Sequence, residues 1–355
     1  MATPDLPDEV LPGVLIGHDT DTRRPTGVTV VLLPDGATAG VDVRGAAPGT
    51  RETDLLDPVN TMQGVHAITL AGGSAFGLDA AAGVMGWLER RGRGVEVGPA
   101  RVPLVPAAVI FDLGVGDHTI RPDAASGARA CASAVPVTAA AEGNVGAGAG
   151  ATVGKLLGPG QAMRGGVGIA VLQAHGITMA AVVVVNAVGD VVDPATGATL
   201  AGSRTAADSL DLAGTVPTLL GGAQATGPAA GTNTTIGAVV TDAQLSKAQA
   251  TRLAQVAHDG LARTIRPVHT PMDGDAIFAV ATGTLDPQVQ GAIPSWSSRP
   301  PSDFLGLVLS VMAAEVTASA VLRAAKAAEG LRLDGLWLPA WRDLVSPGGT
   351  SPAAR

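Results

Sequence analysis

The sequence predicts an α/β fold in which sheet is held between layers of helix. Three observations carry that expectation. Apolar, β-branched runs bounded by Gly, Pro and Asp alternate along the chain with segments whose apolar residues recur every three or four positions. One run, ITMAAVVVVNAVGDVV at 177–192, is apolar almost without interruption, as expected of a strand covered on both faces. The 355 residues are also 46% hydrophobic, which is ample for one large core, so the chain is read as a single domain spanning 1–355.

Residues 1–12 read as a flexible lead-in, and GVTVVLL at 27–33 as a strand closed by a Pro34-Asp35-Gly36 turn. VHAITLAGG at 65–73 is the next strand, after which Ser74 is placed to cap a helix ending near Gly92 with arginines in its last turn. AAVIFDL at 107–113 predicts a strand, and Pro122 opens a helix through PDAASGARACASA. The segments 143–155, 165–172 and 177–192 then read as successive strands, the first unusually rich in glycine. Residues 193–230 lack periodicity and suit a long exposed loop. After it come a strand at 234–242, a helix through QLSKAQATRLAQVAHDGLART, a strand at 275–283 and a long helix at 303–331 that Gly330 would stop. The last residues, 343–355, are expected to be flexible.

Composition excludes several classes of function. With 23 Lys and Arg against 31 Asp and Glu, the net charge of −8 offers no cationic surface for a nucleic acid. The single cysteine, Cys131, forbids an internal disulfide, a CxxC pair and a cysteine-rich zinc site, and fits a reducing compartment. There is no Tyr, and four Phe and four Trp leave little material for an aromatic cage. The amino terminus MATPDLPDEV is acidic and proline-broken where a signal peptide is basic and then apolar. No uninterrupted apolar run reaches the length of a membrane span. A cytoplasmic protein without membrane or nucleic-acid partners is expected.

Four constellations hold residues capable of chemistry. AGATVGKL at 149–156 is like a phosphate loop, but Ala149 stands where the first Gly belongs and Leu156 where the hydroxyl belongs. Lys155 is still notable as one of three lysines, with 247 and 326, although a lysine snorkelling from a strand end is an equal reading. In GGSAFG at 72–77, Phe76 breaks the nucleophile-elbow pattern, leaving Ser74 as a cap or, with Gly73, as main-chain N–H groups facing a carbonyl or carboxylate. HTPMDGD at 269–275 puts Asp273 and Asp275 on one face if extended; His269 could join them in a metal site, but no further ligand cluster accompanies it. GTNTTIG at 231–237 is either an Asn-centred turn or a self-cleavage junction. At such a junction the Thr234 hydroxyl attacks the Asn233–Thr234 bond, and the freed α-amine then serves Thr234 as its own base.

These blocks together give the chain a resemblance. PTGVTVV at 25–31, ITLAGGSAFGLDAAAGV at 68–84, AAVIFDL, VGK at 153–155, VVVNAVG at 183–189, NTTI at 233–236 and HTPMDGDAIFAV at 269–280 occur in the order of the DmpA-type aminopeptidase and nylon-oligomer hydrolase family. That family is similar in design to N-terminal nucleophile hydrolases, and the likeness runs from about residue 13 to 325. The Asn-Thr junction and the Asp-Gly-Asp segment resemble the nylon-oligomer branch.

The resemblance implies a four-layer αββα sandwich, self-cut into a 1–233 α chain and a 234–355 β chain. It implies Thr234 as nucleophile, Asp273 and Asp275 orienting it, Asn186 binding the oxyanion and Lys155 balancing the aspartates. Phe111, Gly73 and Ser74 would contact substrate, Phe111 standing where the nylon-oligomer branch carries Tyr. The implied enzyme needs no metal or cofactor and assembles as a homotetramer of αβ units. It would hydrolyse linear amides such as 6-aminohexanoate oligomers; an aminopeptidase for D- or β-residue peptides and an uncut, non-catalytic binding relative are the alternatives. The tail from about 332, with Trp337 and Trp341, lies beyond the likeness and would pack on a neighbouring subunit.

Overall fold

A computed structural model describes residues 9–222, 231–286, 289, 301–333 and 335–345. Its centre is a ten-stranded sheet that curls upon itself. The principal strands are β1 (Leu15–Thr20), β2 (Gly27–Val43), β3 (Val65–Ala71), β4 (Ala107–Val109), β5 (Gly166–Ala174), β6 (Ile177–Asn186), β7 (Thr234–Thr241) and β8 (Ala276–Ala281). They run in the order β5-β6-β7-β8-β2-β3-β4, with Thr50–Arg51 beyond β4 and β1 against the first half of β2.

Strand β2 makes the curl. Its first half pairs with β1 and β3, and its second half with β8. The register shifts between Leu32 and Ala37, where Gly36 takes a φ of 82°. Pro34-Asp35-Gly36 therefore bends a continuing strand instead of reversing the chain, as the sequence reading expected. Turn residues of this kind also serve bulges, which bend a strand and increase its twist.

Side-chain alternation then yields four layers. From β6, Ala180, Val182 and Val184 point into the apolar layer between the two halves of the sheet, where they meet Ile68 and Leu70 of β3. The intervening Met179, Ala181, Val183 and Val185 face α3 (Lys247–Thr264) and α4 (Pro301–Ala327). On the opposite flank, Val28, Val30 and Leu32 of β2 pack with Ala80, Val84 and Leu88 of α1 (Ala80–Glu89) and with Cys131 of α2 (Ala124–Ala132). Burial pushes the Cys131 thiol up to about 12, leaving it unreactive. Helix α4 is apolar and long enough to span a membrane by composition, yet more than half of that stretch is buried inside the fold, as in a core helix.

Several local expectations are corrected. Val10 and Leu11, placed in the flexible lead-in, are buried in the layer between the sheets; residues 1–8 lie outside the described ones. Ser74 caps no helix: Ser74–Asp79 is a 3-10 turn and α1 begins at Ala80. Helix α2 is opened by Asp123, whose carboxylate accepts from Ser126 N–H in a reciprocal capping box, and not by Pro122. The glycine-rich 143–155 segment holds only a Thr152–Val153 strand after a 3-10 turn.

Residues 193–222 are no exposed loop. Thr199–Ala201 is a strand, Thr215–Leu220 a helix, and Arg204 is fully buried; 223–230 lie outside the described residues. The tail folds onto its own chain, with a hairpin Leu331–Leu333/Leu336–Leu338 and a short helix Trp341–Val345. Residues 346–355 lie outside the described ones.

Candidate active site

Strand register brings the predicted residues together. Asn186, the last residue of β6, sits directly opposite Thr234, the first of β7. Strand β8 runs parallel to β7, and the segment leading into β8 passes beside Asn233, which bridges Asp273. Lys155 arrives from the glycine-rich segment. Asn186, Asn233, Thr234, Lys155, Asp273 and Asp275 are all buried, with Thr234 3% exposed.

The carbonyl between Asn233 and Thr234 is the focus of this cluster. Its oxygen accepts from Thr234 Oγ1 at 2.5 Å and from Gly274 N–H at 2.9 Å. Two donors on one buried carbonyl polarise it and mark where an oxyanion would gather charge. Gly274 is required there, since a Cβ would stand 2.5 Å from Ala47 O and 3.0 Å from Thr234 Oγ1.

The two aspartates hold main chain on either side. Asp275 Oδ1 accepts from Thr235 N–H at 2.6 Å, while Oδ2 accepts from His269 N–H at 3.2 Å and lies 2.7 Å from His269 Nδ1. Asp273 Oδ2 accepts from Thr270 N–H at 2.8 Å and Thr270 Oγ1 at 2.5 Å. Burial, followed by the charge of Asp275, raises the Asp273 carboxyl above the usual range, against the hydrogen bonds of Thr270 and the charge of Lys155. His269 thus buttresses Asp275 from a left-handed backbone, φ 56°.

Lys155 Nζ donates to Asn186 O at 2.9 Å, Asn186 Oδ1 at 2.8 Å and Thr232 O at 3.0 Å, one residue before the Asn233 carbonyl. It is not a lysine snorkelling into solvent. Burial lowers it from 10.5 to about 7, with Asp273 and Asp112 resisting the shift. An amine at that value exchanges protons readily near neutrality. Asn186 Oδ1 also accepts from Thr152 N–H at 3.1 Å, and its Nδ2 donates to Phe111 O at 3.2 Å. The Asn233 oxygen is therefore served by Gly274 and Thr234, and Asn186 is committed elsewhere.

Beside Lys155 opens a cleft of about 560 Å³, part of it open to solvent. Phe111, Val115, Leu336 and Leu338 give it apolar walls, and Asp112, Lys155 and Thr232 line its polar end. Sequence reasoning missed Asp112 and its partners Arg24 and Thr26. Asp112 forms a fully buried ion pair with Arg24 at 2.7 Å and accepts from Thr26 Oγ1 at 2.6 Å and Gly73 N–H at 2.8 Å. A charge inside the apolar block AAVIFDL, and an arginine just before PTGVTVV, were the available signals. Gly73 reaches the cleft through Asp112, and Ser74 N–H donates to Ile110 O, so neither lines it.

The chain is similar to known proteins. The pattern of Peptidase family S58 matches residues 10–335. An uncharacterized aminopeptidase of Mycobacterium leprae (strain TN) is 46% identical over 349 residues, covering 93% of each chain. A 6-aminohexanoate-oligomer endohydrolase of Kocuria sp. (strain KY2) is 36% identical over 325 residues, 89% of this chain and 84% of that one. Among solved structures, a Burkholderia sp. β-aminopeptidase superposes with a TM-score of 0.64 at 24% identity, over 99% of this chain and 97% of its own. The L-aminopeptidase D-Ala-esterase/amidase of Ochrobactrum anthropi, described as a variant of the Ntn hydrolase fold, gives 0.66 at 20% identity over 93% and 89%. These two share the fold.

Proposed function

The chain belongs to peptidase family S58 and is a hydrolase of peptide or amide bonds, and on that premise we propose that it cuts itself once, between Asn233 and Thr234. The arrangement around the Asn233 carbonyl carries this reading: nucleophile hydroxyl and main-chain donor already converge on one buried oxygen. Thr234 Oγ1 adds to the carbonyl carbon, its proton passing by way of Lys155 to the departing nitrogen. The C–N bond breaks to leave an ester and a free α-amine. Water then hydrolyses the ester, releasing residues 1–233 with a new carboxylate and restoring the hydroxyl.

The same hydroxyl next attacks a substrate amide, with the new α-amine taking its proton and returning it to the leaving amine. An acyl-enzyme forms and water releases it. Asp275 keeps the nucleophile in place through Thr235 N–H, and Asp273 holds the Thr270 turn beside it. Asn186, which faces Thr234 across the sheet, supplies a donor to the substrate oxyanion by turning its Nδ2 from the Phe111 carbonyl. No step calls on a cofactor.

For substrate, we favour linear aliphatic amides of the 6-aminohexanoate-oligomer kind. An enzyme that demands a free substrate amine needs a carboxylate to receive it, and the cleft's Asp112 is already matched by Arg24. The aminopeptidase reading stands second, favoured by the name of the 46% identical relative. Intact-mass analysis of the wild type and of Thr234→Ala tests the cut. Fragments of 1–233 and 234–355 in the wild type alone are expected, and an intact wild-type chain overturns the reading. Comparing amino-blocked with free oligomers then separates the two substrates: cleavage of both fits the amide hydrolase, and cleavage of free ones only fits the aminopeptidase.

A further inference from the structure

The cleft takes one wall from the far end of the chain. Leu336 and Leu338 line it beside Phe111 and Val115, and the hairpin leucines form a small apolar cluster with Val115 and Ala162. The family match stops at residue 335, one position before this wall begins.

The hairpin is held firmly. Arg204 Nε donates to Ala162 O at 3.3 Å, Nη1 to Ala207 O at 2.7 Å and Ser209 O at 2.9 Å, and Nη2 to Gly160 O at 2.6 Å and Trp337 O at 2.9 Å. A guanidinium has five N–H donors, and here they join three separate segments through main-chain carbonyls. Arg164 N–H adds a tie to Pro339 O at 2.8 Å. Main-chain anchoring fixes the position of the hairpin whatever side chains it presents to the cleft.

We infer that Leu336 and Leu338 are specificity-determining residues, forming the wall against which the aliphatic flank of a linear amide lies beside Lys155. The inference rests on the amide-hydrolase reading. After the cut at Asn233 the cleft becomes composite, with Phe111, Val115 and Lys155 on one fragment and both leucines on the other. The leucine wall offers no side-chain hydrogen bond, so it selects on length and width of an apolar chain.

The test uses Leu336→Ala, Leu336→Phe and Leu336→Gln, since Leu336 is only half-buried and Leu338 is nearly fully so. Acetyl, butyryl, hexanoyl and octanoyl p-nitroanilides are the probes, and appearance of the two self-cleavage fragments reports the fold. Leu336→Phe is expected to shift the optimum to shorter acyl chains and Leu336→Ala to longer ones. Each shift should be about tenfold in relative kcat/KM, seen mainly in KM. Leu336→Gln should lower the preference for hexanoyl over acetyl. Self-cleaved variants with the wild-type length profile, or with a uniform loss at every length, overturn the inference alone. A self-cleaved wild type that hydrolyses none of the probes counts against the amide-hydrolase reading and the wall together.

Discussion

The site has two halves built by different means. Around Thr234, the proposed reacting groups sit at or beside the ends of regular strands, and register places two of them: Asn186 faces Thr234 because β6 and β7 pair as they do. Around the cleft, position comes from irregular chain stitched together by two buried arginines, Arg24 and Arg204. The first half ties each polar group to another polar group of the site. The second ties loops to one another and leaves side chains such as Leu336 to face the ligand. Chemistry on strands and recognition on loops allow one to vary while the other stays fixed.

The sharpest way to break this division is to remove the proposed nucleophile. Thr234→Ala should abolish the cut completely and leave a 35.0 kDa chain on a denaturing gel, with the cleft unaltered. Loss of folding instead would mean that the two halves depend on one another.

Lys155 lies at the seam, lining the cleft and touching Asn186 and Thr232. Its replacement in Lys155→Met should slow self-cleavage about 10²–10⁴-fold, the range for a lost proton-transfer group. The pH dependence has a definite sign. With the folded value near 7, the fraction of neutral amine grows as pH rises through 7, so the wild-type cut should accelerate from pH 6 to 8. Stability moves the same way, because between about 7 and 10.5 the unfolded lysine binds a proton that the folded one has lost. A rate that falls over this range would assign the ammonium, not the amine, to the reaction.

The two arginines sharpen the comparison further. Arg24 neutralises a carboxylate, whereas Arg204 meets carbonyls. Arg24→Met leaves Asp112 buried without its cation and is expected to destabilise by about 3–5 kcal/mol. Arg204→Met leaves only under-satisfied carbonyls, for about 1–3 kcal/mol. Urea unfolding of the uncut Thr234→Ala background measures both, and equal losses would erase the distinction.

The same division explains what could be read in the sequence. Thr234, Asn233, Asp273, Asp275, Asn186 and Lys155 lie within short ordered blocks that the family resemblance picks out one by one. Arg24 pairs with Asp112 across 88 positions and Arg204 reaches Trp337 across 133, with no period or motif to announce either. Residues 193–222 looked irregular because Asp190, through Thr215 and Ser203, replaces regular pairing as their organiser. Pro34-Asp35-Gly36 has the composition of a turn, and only the pairing of β2 with two different neighbours makes it a bend. The local blocks were legible; long-range polar stitching was not.

The smallest expected effect lies where the halves touch most lightly. Phe111 offers its carbonyl to Asn186 and its ring to the cleft. Phe111→Tyr keeps the carbonyl and adds a hydroxyl on the ligand side, the group that the nylon-oligomer branch is expected to carry there. A new neutral hydrogen bond contributes about 0.5–1.5 kcal/mol, so kcat/KM for a linear amide oligomer should rise roughly two- to thirteenfold. Self-cleavage, whose carbonyl is served by Gly274 and not by Asn186, should keep its rate. A change in both rates would show that the ring also influences the Asn233 carbonyl, and the boundary between chemistry and recognition would then run through Phe111 itself.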